Sequence, residues 1–250
     1  MSSSATSYPR AAATLAATHG VVALGRRVDV ASSDDVDAAA AAVRERFGRC
    51  DLLWVNVGVQ HFGAVETIPD DVWRWVLDVN VVGAARTARA FLPLLRARGP
   101  GSGRIAFTAS ANALAPAARL GAYQASKYAV VGLAETLRIE LAPESLGVSV
   151  VYPSGMFTRH LESSAAARPA GLGPGDVADD DLAAMMASRP MTEADLATPE
   201  DAAARALDGV LAGEPHVITH GDLAAPVARD HAEIDQALAR LAARTEEGES

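Results

Sequence analysis

The chemistry that this sequence could perform is concentrated in the segment Tyr123-Gln124-Ala125-Ser126-Lys127. A tyrosine and a lysine four residues apart lie on one face of a helix, so the ammonium can sit below the phenol and stabilise its ionised form. A free phenol titrates near pH 10, about three units too high for a base at neutral pH, so proton transfer needs a neighbouring cation and a desolvated site. Ser110, which ends the apolar run 104–110, could supply a second hydrogen bond to the same substrate oxygen.

The tyrosine and lysine spacing alone is not specific, because a surface tyrosine beside a solvated lysine has the same spacing. Three neighbouring segments give it a context. Residues 52–58 form an apolar run that ends in Asn and Gly, and residues 78–83 lie inside a long helical pattern. Residues 148–158 form another apolar run, broken by Pro and Gly.

This series of motifs, in this order and at these separations, resembles the short-chain dehydrogenase/reductase (SDR) family over about residues 21–222. The resemblance implies that Tyr123 is the catalytic acid or base, and that Lys127 lowers its pKa and holds the nicotinamide ribose. By the same likeness, Ser110 donates to the substrate oxygen and Asn80 holds a water for a proton relay. The implied cofactor is NAD or NADP, with no preference between them, and the implied partner is a small-molecule substrate.

The resemblance also implies a set of cofactor contacts. Asn56 and Gly58 match the second Asn and the final Gly of the family's Asn-Asn-Ala-Gly segment, while valines replace the other two positions. Asp29 is similar to the acidic residue that contacts the adenine, and a turn in 153–158 matches the one beside the nicotinamide. The cofactor-binding residues implied in this way are Asp29, Val30, Asn56, Gly58, Tyr123, Lys127, Pro153, Gly155 and Thr158.

One part of the family pattern has no counterpart before Asp29. The family opens with a strand, a Gly-rich turn of the Thr-Gly-x-x-x-Gly-x-Gly type, a helix and a second strand. The backbone N–H groups of that turn normally neutralise the cofactor pyrophosphate. The Gly-rich stretch 99–103 precedes a strand and is typical of a loop. We therefore expect an N-terminally incomplete sheet, without the first two family strands, and weak cofactor binding.

The overall composition is that of one domain with a sizeable core, since half of the 250 residues are apolar. A formal net charge of -9 argues against nucleic acid or an anionic membrane as a partner. The chain has no apolar run of about twenty residues and no signal-peptide layout. A single cysteine, Cys50, excludes an intrachain disulfide and fits a reducing compartment. We expect a cytoplasmic protein.

Alternating strand and helix patterns predict an α/β fold, a three-layer Rossmann-like doubly wound parallel sheet. Residues 1–10 are expected to be disordered and 11–250 to form a single Rossmann-like domain, in which 159–197 is a lid over the substrate or a poorly ordered insertion. Strands are predicted near Val21, Leu52, Ile105, Val148 and Val217, and a helix of about seven turns from Pro69 to Arg98. The Val21 segment could pair directly with the Leu52 strand, but we expect it to be displaced or irregularly placed. Serine 32 and threonine 198 are predicted to begin helices.

The family geometry predicts a substrate pocket that is mostly apolar with a few polar groups. Its predicted members are Gln60, His61, Asn112, Met156 and Phe157, joined by Phe62 and Leu114. A secondary alcohol or ketone on a small to medium apolar skeleton is the substrate that such a pocket would take. The spacing of His61, His160, His216 and His220 fits no metal site, so no metal is predicted.

Three functional hypotheses remain open at this stage. The first is an NAD(P)-dependent alcohol dehydrogenase or ketone reductase. The second is a non-redox lyase similar to the halohydrin dehalogenases, which carry Arg where Lys127 stands. The third is a cofactor-free remnant that acts as a binding or subunit protein, or a chain whose start was assigned too far downstream.

A homodimer or homotetramer is expected, because the helix near Val76 and the one after Tyr123 are more apolar than one sheet face can cover.

Overall fold

The structure is a computed structural model that describes residues 7–97, 99–173 and 175–248. Four of the described strands form a parallel sheet in the order β1-β2-β3-β6, and β4 and β5 form a separate parallel pair. The strands are β1 (Leu52–Val55), β2 (Arg104–Thr108), β3 (Gly147–Tyr152), β4 (Gly155–Met156), β5 (Leu196–Ala197) and β6 (His216–Ile218). The register places Leu53 opposite Ile105, and Ile105 opposite Val148.

The described helices cover this sheet and extend beyond it. They are α1 (Ser7–His19), α2 (Ser33–Phe47), α3 (Asp70–Leu77), α4 (Gly83–Arg96), α5 (Gly121–Leu141), α6 (His160–Ala167), α7 (Asp179–Ser188), α8 (Pro199–Ala212) and α9 (Ala224–Gly248). A π-helical turn, Asp78–Val82, joins α3 to α4 without a break. The predicted long helix therefore exists and ends at Arg96, and Arg98 lies outside the described residues.

Apolar side chains on both faces of the sheet make the three layers. Leu95 of α4 and Val130 of α5 pack on one face, in the same cluster as Ile105 and Phe107. Val210 of α8 packs with Val217 on the other face. A parallel sheet covered by helices on both faces is the expected Rossmann-like α/β arrangement, and this prediction is confirmed.

The segment 21–30 is not a strand in the structure, so that part of the prediction is wrong. Val21, Val22 and Leu24 are exposed, and β1 is the edge strand of the sheet. Val28 and Val30 instead line an apolar cleft of about 250 Å³ that runs along β1. The apolar pattern of 21–30 is therefore not sufficient for a strand, because no described neighbour pairs with its backbone. The segment does not pair with β1, which agrees with the expected displaced or irregular placement.

Helix ends follow the local signals that the sequence carries. The Ser32 side chain accepts a hydrogen bond from the Asp35 N–H and caps α2, and Thr198 does the same for α8 with the Asp201 N–H. Helix α1 begins at Ser7, so residues 7–10 are helical where the sequence predicts disorder. Residues 1–6 of that predicted segment lie outside the described residues.

The segment 159–197 contains α6 and α7 rather than an irregular insertion. Met185 of α7 packs against the cluster that contains Tyr123 and Leu120, and the Ser164 hydroxyl of α6 accepts a hydrogen bond from the Gln60 N–H. These contacts place the segment over the residues that follow β1. None of the helices in the described ranges is both long enough and apolar enough to cross a membrane.

Candidate active site

The carboxyl ends of β1, β2 and β3 meet at one edge of the sheet, and the residues with chemical potential follow them. Asn56 and Gly58 follow β1, Ser110 follows β2, and Pro153 follows β3. In open parallel sheets this edge is where ligands bind. Helix α5, which carries Tyr123 and Lys127, crosses the same edge at its N-terminal turns.

Tyr123 is buried at this edge, with 7% of its surface exposed. Leu120 and Ala117 enclose its ring, and Phe62 and Met185 pack against that cluster. Burial raises the pKa of Tyr123, and a hydrogen bond with Ser110 opposes this only in part. The phenol therefore holds its proton at neutral pH and has Ser110 beside it.

Lys127 lies one helical turn after Tyr123 and is 4% exposed. Its Nζ is 5.7 Å from the centroid of the Tyr123 ring and donates a hydrogen bond of 2.9 Å to the Thr108 carbonyl. Burial lowers the pKa of Lys127 to about 8. The spacing prediction that one helical face brings these two groups together is confirmed.

The expected effect of Lys127 on the phenol is not what the structure shows. The resemblance implies a lowered pKa for Tyr123, whereas the pKa of Tyr123 is raised. The physical reason is that removal from water disfavours the phenolate more than the Ser110 hydrogen bond favours it. Lys127 is itself desolvated, and burial favours the neutral form of its amine.

Asn80 connects the residues after β1 to helix α5. It is fully buried in the π-helical turn, where its Oδ1 accepts from the Val59 N–H and its Nδ2 donates to the Val59 carbonyl, both at 2.8 Å. Nδ2 also lies 2.8 Å from the Ser126 hydroxyl, which in turn donates to the Tyr123 carbonyl. The side chain of Asn80 therefore fixes the position of Tyr123, and a water-holding role for this residue remains a prediction.

Gly58 keeps the space beside the Lys127 ammonium open. A Cβ at this position would lie 3.2 Å from Nζ of Lys127 and 3.8 Å from Oδ1 of Asn80. A side chain at this position would occupy that space. The predicted cofactor residue Gly58 thus lies against two of the predicted catalytic residues.

The other predicted cofactor residues are spread along the edge. Asn56 and Val30 line the apolar cleft beside β1, and the exposed carboxylate of Asp29 accepts a hydrogen bond from the Ala31 N–H. The Pro153 carbonyl accepts from the Ala111 N–H. After β3, the carbonyl of Gly155 is hydrogen-bonded to His220, and the Thr158 N–H donates to the Met156 carbonyl.

The predicted substrate residues do not form one pocket. Gln60, His61 and Phe62 line a small cleft of about 30 Å³ against α6. Asn112 is elsewhere, where its Oδ1 accepts from Arg189, and Phe157 is 76% exposed. The cleft at Gln60 is also more polar than expected, because Ser164 and Arg168 line it.

Three residues near the site carried no recognisable sequence signal. The His160 ring lies 6.2 Å from the Tyr123 ring, and its pKa is lowered by burial and by Lys127. Ser126 joins Asn80 to α5, and Arg168 reaches the cleft at His61. Each is brought to the site by tertiary packing, and only Ser126 stands inside the motif that the sequence highlights.

Comparisons with known proteins agree on one family. The family model described as short chain dehydrogenase matches residues 1–169. An uncharacterized NAD-dependent oxidoreductase of Mycobacterium tuberculosis is 33% identical over 154 residues, which are 62% of this chain and 56% of that protein. Human 17-beta-hydroxysteroid dehydrogenase type 1 is 38% identical over 136 residues, 54% of this chain and 40% of that protein. The chain thus spans about half the length of these curated relatives.

Solved structures of short-chain dehydrogenases are similar to this chain over most of its length. The crystal structure of a short chain dehydrogenase/reductase from Burkholderia phymatum in complex with NAD superposes with a TM-score of 0.79 at 30% identity. The superposition covers 92% of this chain and 82% of that one. A short-chain dehydrogenase from Streptomyces avermitilis gives a TM-score of 0.72 at 26% identity, over 96% of this chain and 87% of that one.

Proposed function

The chain belongs to the short-chain dehydrogenase/reductase family, and on that premise we propose that it is an NAD- or NADP-dependent oxidoreductase that interconverts a secondary alcohol and a ketone. The observation that carries the proposal is the buried phenol of Tyr123, hydrogen-bonded to Ser110 and with the Lys127 ammonium 5.7 Å from its ring. A buried proton donor with a second hydrogen-bonding group beside it is what a carbonyl oxygen requires when it becomes a hydroxyl.

The protein's own groups handle the proton. With its pKa raised, Tyr123 is a proton donor at neutral pH, so it can protonate the oxygen of a ketone while Ser110 donates a second hydrogen bond. Alcohol oxidation needs the ionised phenol, so its rate should increase with pH more steeply than the rate of ketone reduction. When bound, the nicotinamide cofactor supplies or accepts the hydride.

The residues present fit the nicotinamide-ribose end of such a cofactor. The ammonium of Lys127 has three donors, one of which is used by the Thr108 carbonyl, and Gly58 leaves room beside it. The fit is poorer at the pyrophosphate end. Within 7–97, 99–173 and 175–248, we find no short glycine-rich turn that joins a strand to the start of a helix at this edge. Asn56 and Val30 face an apolar cleft there instead.

The substrate class rests on the apolar surroundings of Tyr123 and on the names of relatives. Leu120, Ala117 and Phe62 surround the phenol. Among the relatives are human 17-beta-hydroxysteroid dehydrogenase type 1 and (-)-trans-carveol dehydrogenase of Rhodococcus erythropolis, the latter 33% identical over 146 residues. A secondary alcohol or ketone on a small to medium apolar skeleton is consistent with both observations.

A second candidate function is a binding or subunit protein without turnover. The observation that favours it is the apolar cleft of about 250 Å³ beside the edge strand β1, where a cofactor pyrophosphate would find no described cationic or glycine-rich partner. The two candidates differ in one measurable respect, because only the oxidoreductase consumes NADH or NADPH when a ketone is added.

Turnover of a ketone panel tests the proposal. The purified chain would be incubated with millimolar NADH or NADPH and with cyclohexanone, acetophenone or 2-octanone, and cofactor consumption would be followed. Tyr123→Phe should lower the rate at least a hundredfold, because general acid catalysis contributes about 10² to 10⁴. Tyr128→Phe is the matched control, since Tyr128 lies on the same helix but is 47% exposed. Equal rates for the two variants would assign the proton transfer elsewhere.

A further inference from the structure

Helix α9 is anchored to the domain at its start and then leaves it. Leu223, which precedes the helix, is buried with Ala111 and Ala115, and Val227 of α9 packs against the same cluster. From residue 231 to residue 245, by contrast, every residue of the helix is exposed. An isolated helix of that length is marginal in water, because most helices in proteins are stabilised by packing of an amphipathic face. Within the described residues, this part of α9 has no such packing.

An apolar stripe runs along the exposed part of α9. Ile234, Leu238 and Leu241 are spaced by four and three residues, so they lie on one face of the helix. Their exposed fractions are 58%, 58% and 61%. His231 and Thr245 continue the same alternation of three and four residues at the two ends, which is the spacing of a coiled-coil seam. These five residues are called the α9 stripe below.

The charges beside the α9 stripe are complementary to those of a second copy of the same helix in the antiparallel direction. In an antiparallel pair in which Ile234 of each copy packs against Leu238 of the other, Asp230 of each copy lies opposite Arg244 of the other. A parallel pair would instead place Asp230 opposite Asp235 of the other copy. Opposite charges at the positions that flank a seam stabilise the pair and like charges destabilise it, so the antiparallel direction is favoured.

The other positions that flank the α9 stripe are mostly neutral. Ala228, Ala237 and Ala242 carry no charge that pairing would remove from water. The antiparallel pair sets Asp235 opposite Asp235 of the other copy, and this is an unfavourable contact between like charges. Asp230 forms an ion pair of 3.2 Å with Arg229, but both side chains are exposed. Such surface pairs contribute little, so Asp230 can exchange this partner for Arg244 of the other copy.

We propose that the α9 stripe is a self-association surface, on which α9 of two copies packs as a short antiparallel coiled coil. The inference is independent of the proposed oxidoreductase function, because the α9 stripe lies on a helix that leaves the domain. Pairing removes Ile234, Leu238 and Leu241 of both copies from water, which is the driving force. The seam is short, so its dissociation constant should be on the order of micromolar, as for small transient interfaces.

Sedimentation equilibrium of the full chain, from low micromolar to several hundred micromolar protein, tests the surface. The average mass should double once over this range. Leu238→Glu should shift that doubling to at least about tenfold higher concentration, because pairing would bury two carboxylates in the seam. Leu211→Glu is the matched control, since Leu211 is a leucine of α8 that is 56% exposed, and it should associate like the natural chain.

Charge reversal tests the direction of the pair. Asp230→Arg should weaken association about threefold or more in the antiparallel pair, because two arginines then face each other on each side. In a parallel pair the same substitution would strengthen association, because it sets an arginine opposite Asp235. The double variant Asp230→Arg, Arg244→Asp should restore the natural affinity. Asp235→Asn should tighten the pair, since it removes the contact between like charges.

The possible outcomes decide the proposal separately from the proposed function. Circular dichroism should show the same folded domain for all of these variants, because the replaced side chains are exposed in the single chain. Ketone reduction per chain should be the same for Leu238→Glu as for the natural chain. Equal association of Leu238→Glu and the natural chain, or the absence of any doubling of mass, would refute the surface. Stronger association of Asp230→Arg would overturn the antiparallel arrangement.

Discussion

The buried ammonium of Lys127 makes the free energy of unfolding depend on pH, and Lys127→Met should reveal this dependence. In the unfolded chain a lysine has its ordinary pKa of 10.5, whereas burial lowers the pKa of Lys127 to about 8. Because the folded state binds this proton less tightly, the protonated lysine opposes folding. This cost is fully present below pH 8 and disappears as the pH rises past 10.5.

The size of the effect follows from the two pKa values. A fall from 10.5 to about 8 corresponds to roughly 3 kcal/mol, at about 1.4 kcal/mol for each pH unit. Methionine has no charge to desolvate, so Lys127→Met should gain stability relative to the natural chain by this amount below pH 8. Loss of the hydrogen bond to the Thr108 carbonyl offsets about 1 kcal/mol of that gain at every pH.

Chemical denaturation at a series of pH values measures the difference. The stability advantage of Lys127→Met should shrink by about 2 to 3 kcal/mol between pH 7 and pH 10. A direct reading is also available, because Lys127 is the only lysine in the sequence. Protein labelled with ¹³C at lysine Cε should give one lysine resonance that titrates near pH 8 when folded.

The same labelled protein in concentrated urea is the control, and its lysine should titrate near 10.5. Two results would refute the reasoning. One is a folded lysine that titrates above pH 10, and the other is a stability difference between the two proteins that stays constant from pH 7 to pH 10. Either result would mean that Lys127 is solvated and not the buried cation beside Tyr123.

Three further predictions concern the cofactor and the assembly. Gly58→Ala should raise the KM for NADH about tenfold, because the new Cβ lies 3.2 Å from Nζ of Lys127. The Tm of this variant should change by a few degrees at most. Unchanged KM and kcat would show that the cofactor does not use this space. Calorimetry should give an NADH dissociation constant of about 100 µM or weaker. The reason is that the two or three charge-assisted hydrogen bonds of a glycine-rich turn are not found among the described residues. A low micromolar dissociation constant would reveal another phosphate site. Light scattering at micromolar concentration should give the mass of a homodimer or homotetramer. The reason is that Val82, Tyr128 and Ile139 are exposed apolar residues on or beside α4 and α5. A monomer mass would contradict this prediction.

The strands of the sheet could be predicted because each is a local apolar run with a clear end. Residues 52–55 are the predicted strand β1, and the helices that begin after Ser32 and Thr198 follow from their capping side chains. For the segment 21–30, the local apolar pattern predicts a strand that the structure does not contain. Strand propensity is local, but a strand exists only when another backbone pairs with it.

Some features of the active site also follow from the local sequence, whereas others depend on tertiary packing. Helical periodicity alone brings Tyr123 and Lys127 onto one face, so their proximity could be predicted. The direction in which the pKa of Tyr123 shifts could not be predicted from the sequence. That shift depends on burial by Phe62 and Met185, which come from distant parts of the chain. Arg168 was missed for the same reason, since nothing near it in the sequence indicates that it reaches His61.

Isotope transfer tests the central claim, that Tyr123 supplies the proton for ketone reduction at this edge of the sheet. The chain would be incubated at pH 7 with acetophenone and millimolar NADH that carries deuterium at C4 of the nicotinamide, and the alcohol product analysed by mass spectrometry. The account predicts deuterium in the alcohol with the natural chain and with Tyr128→Phe, and at least a hundredfold less with Tyr123→Phe. The absence of deuterium transfer by the natural chain, or equal transfer by Tyr123→Phe, would contradict it.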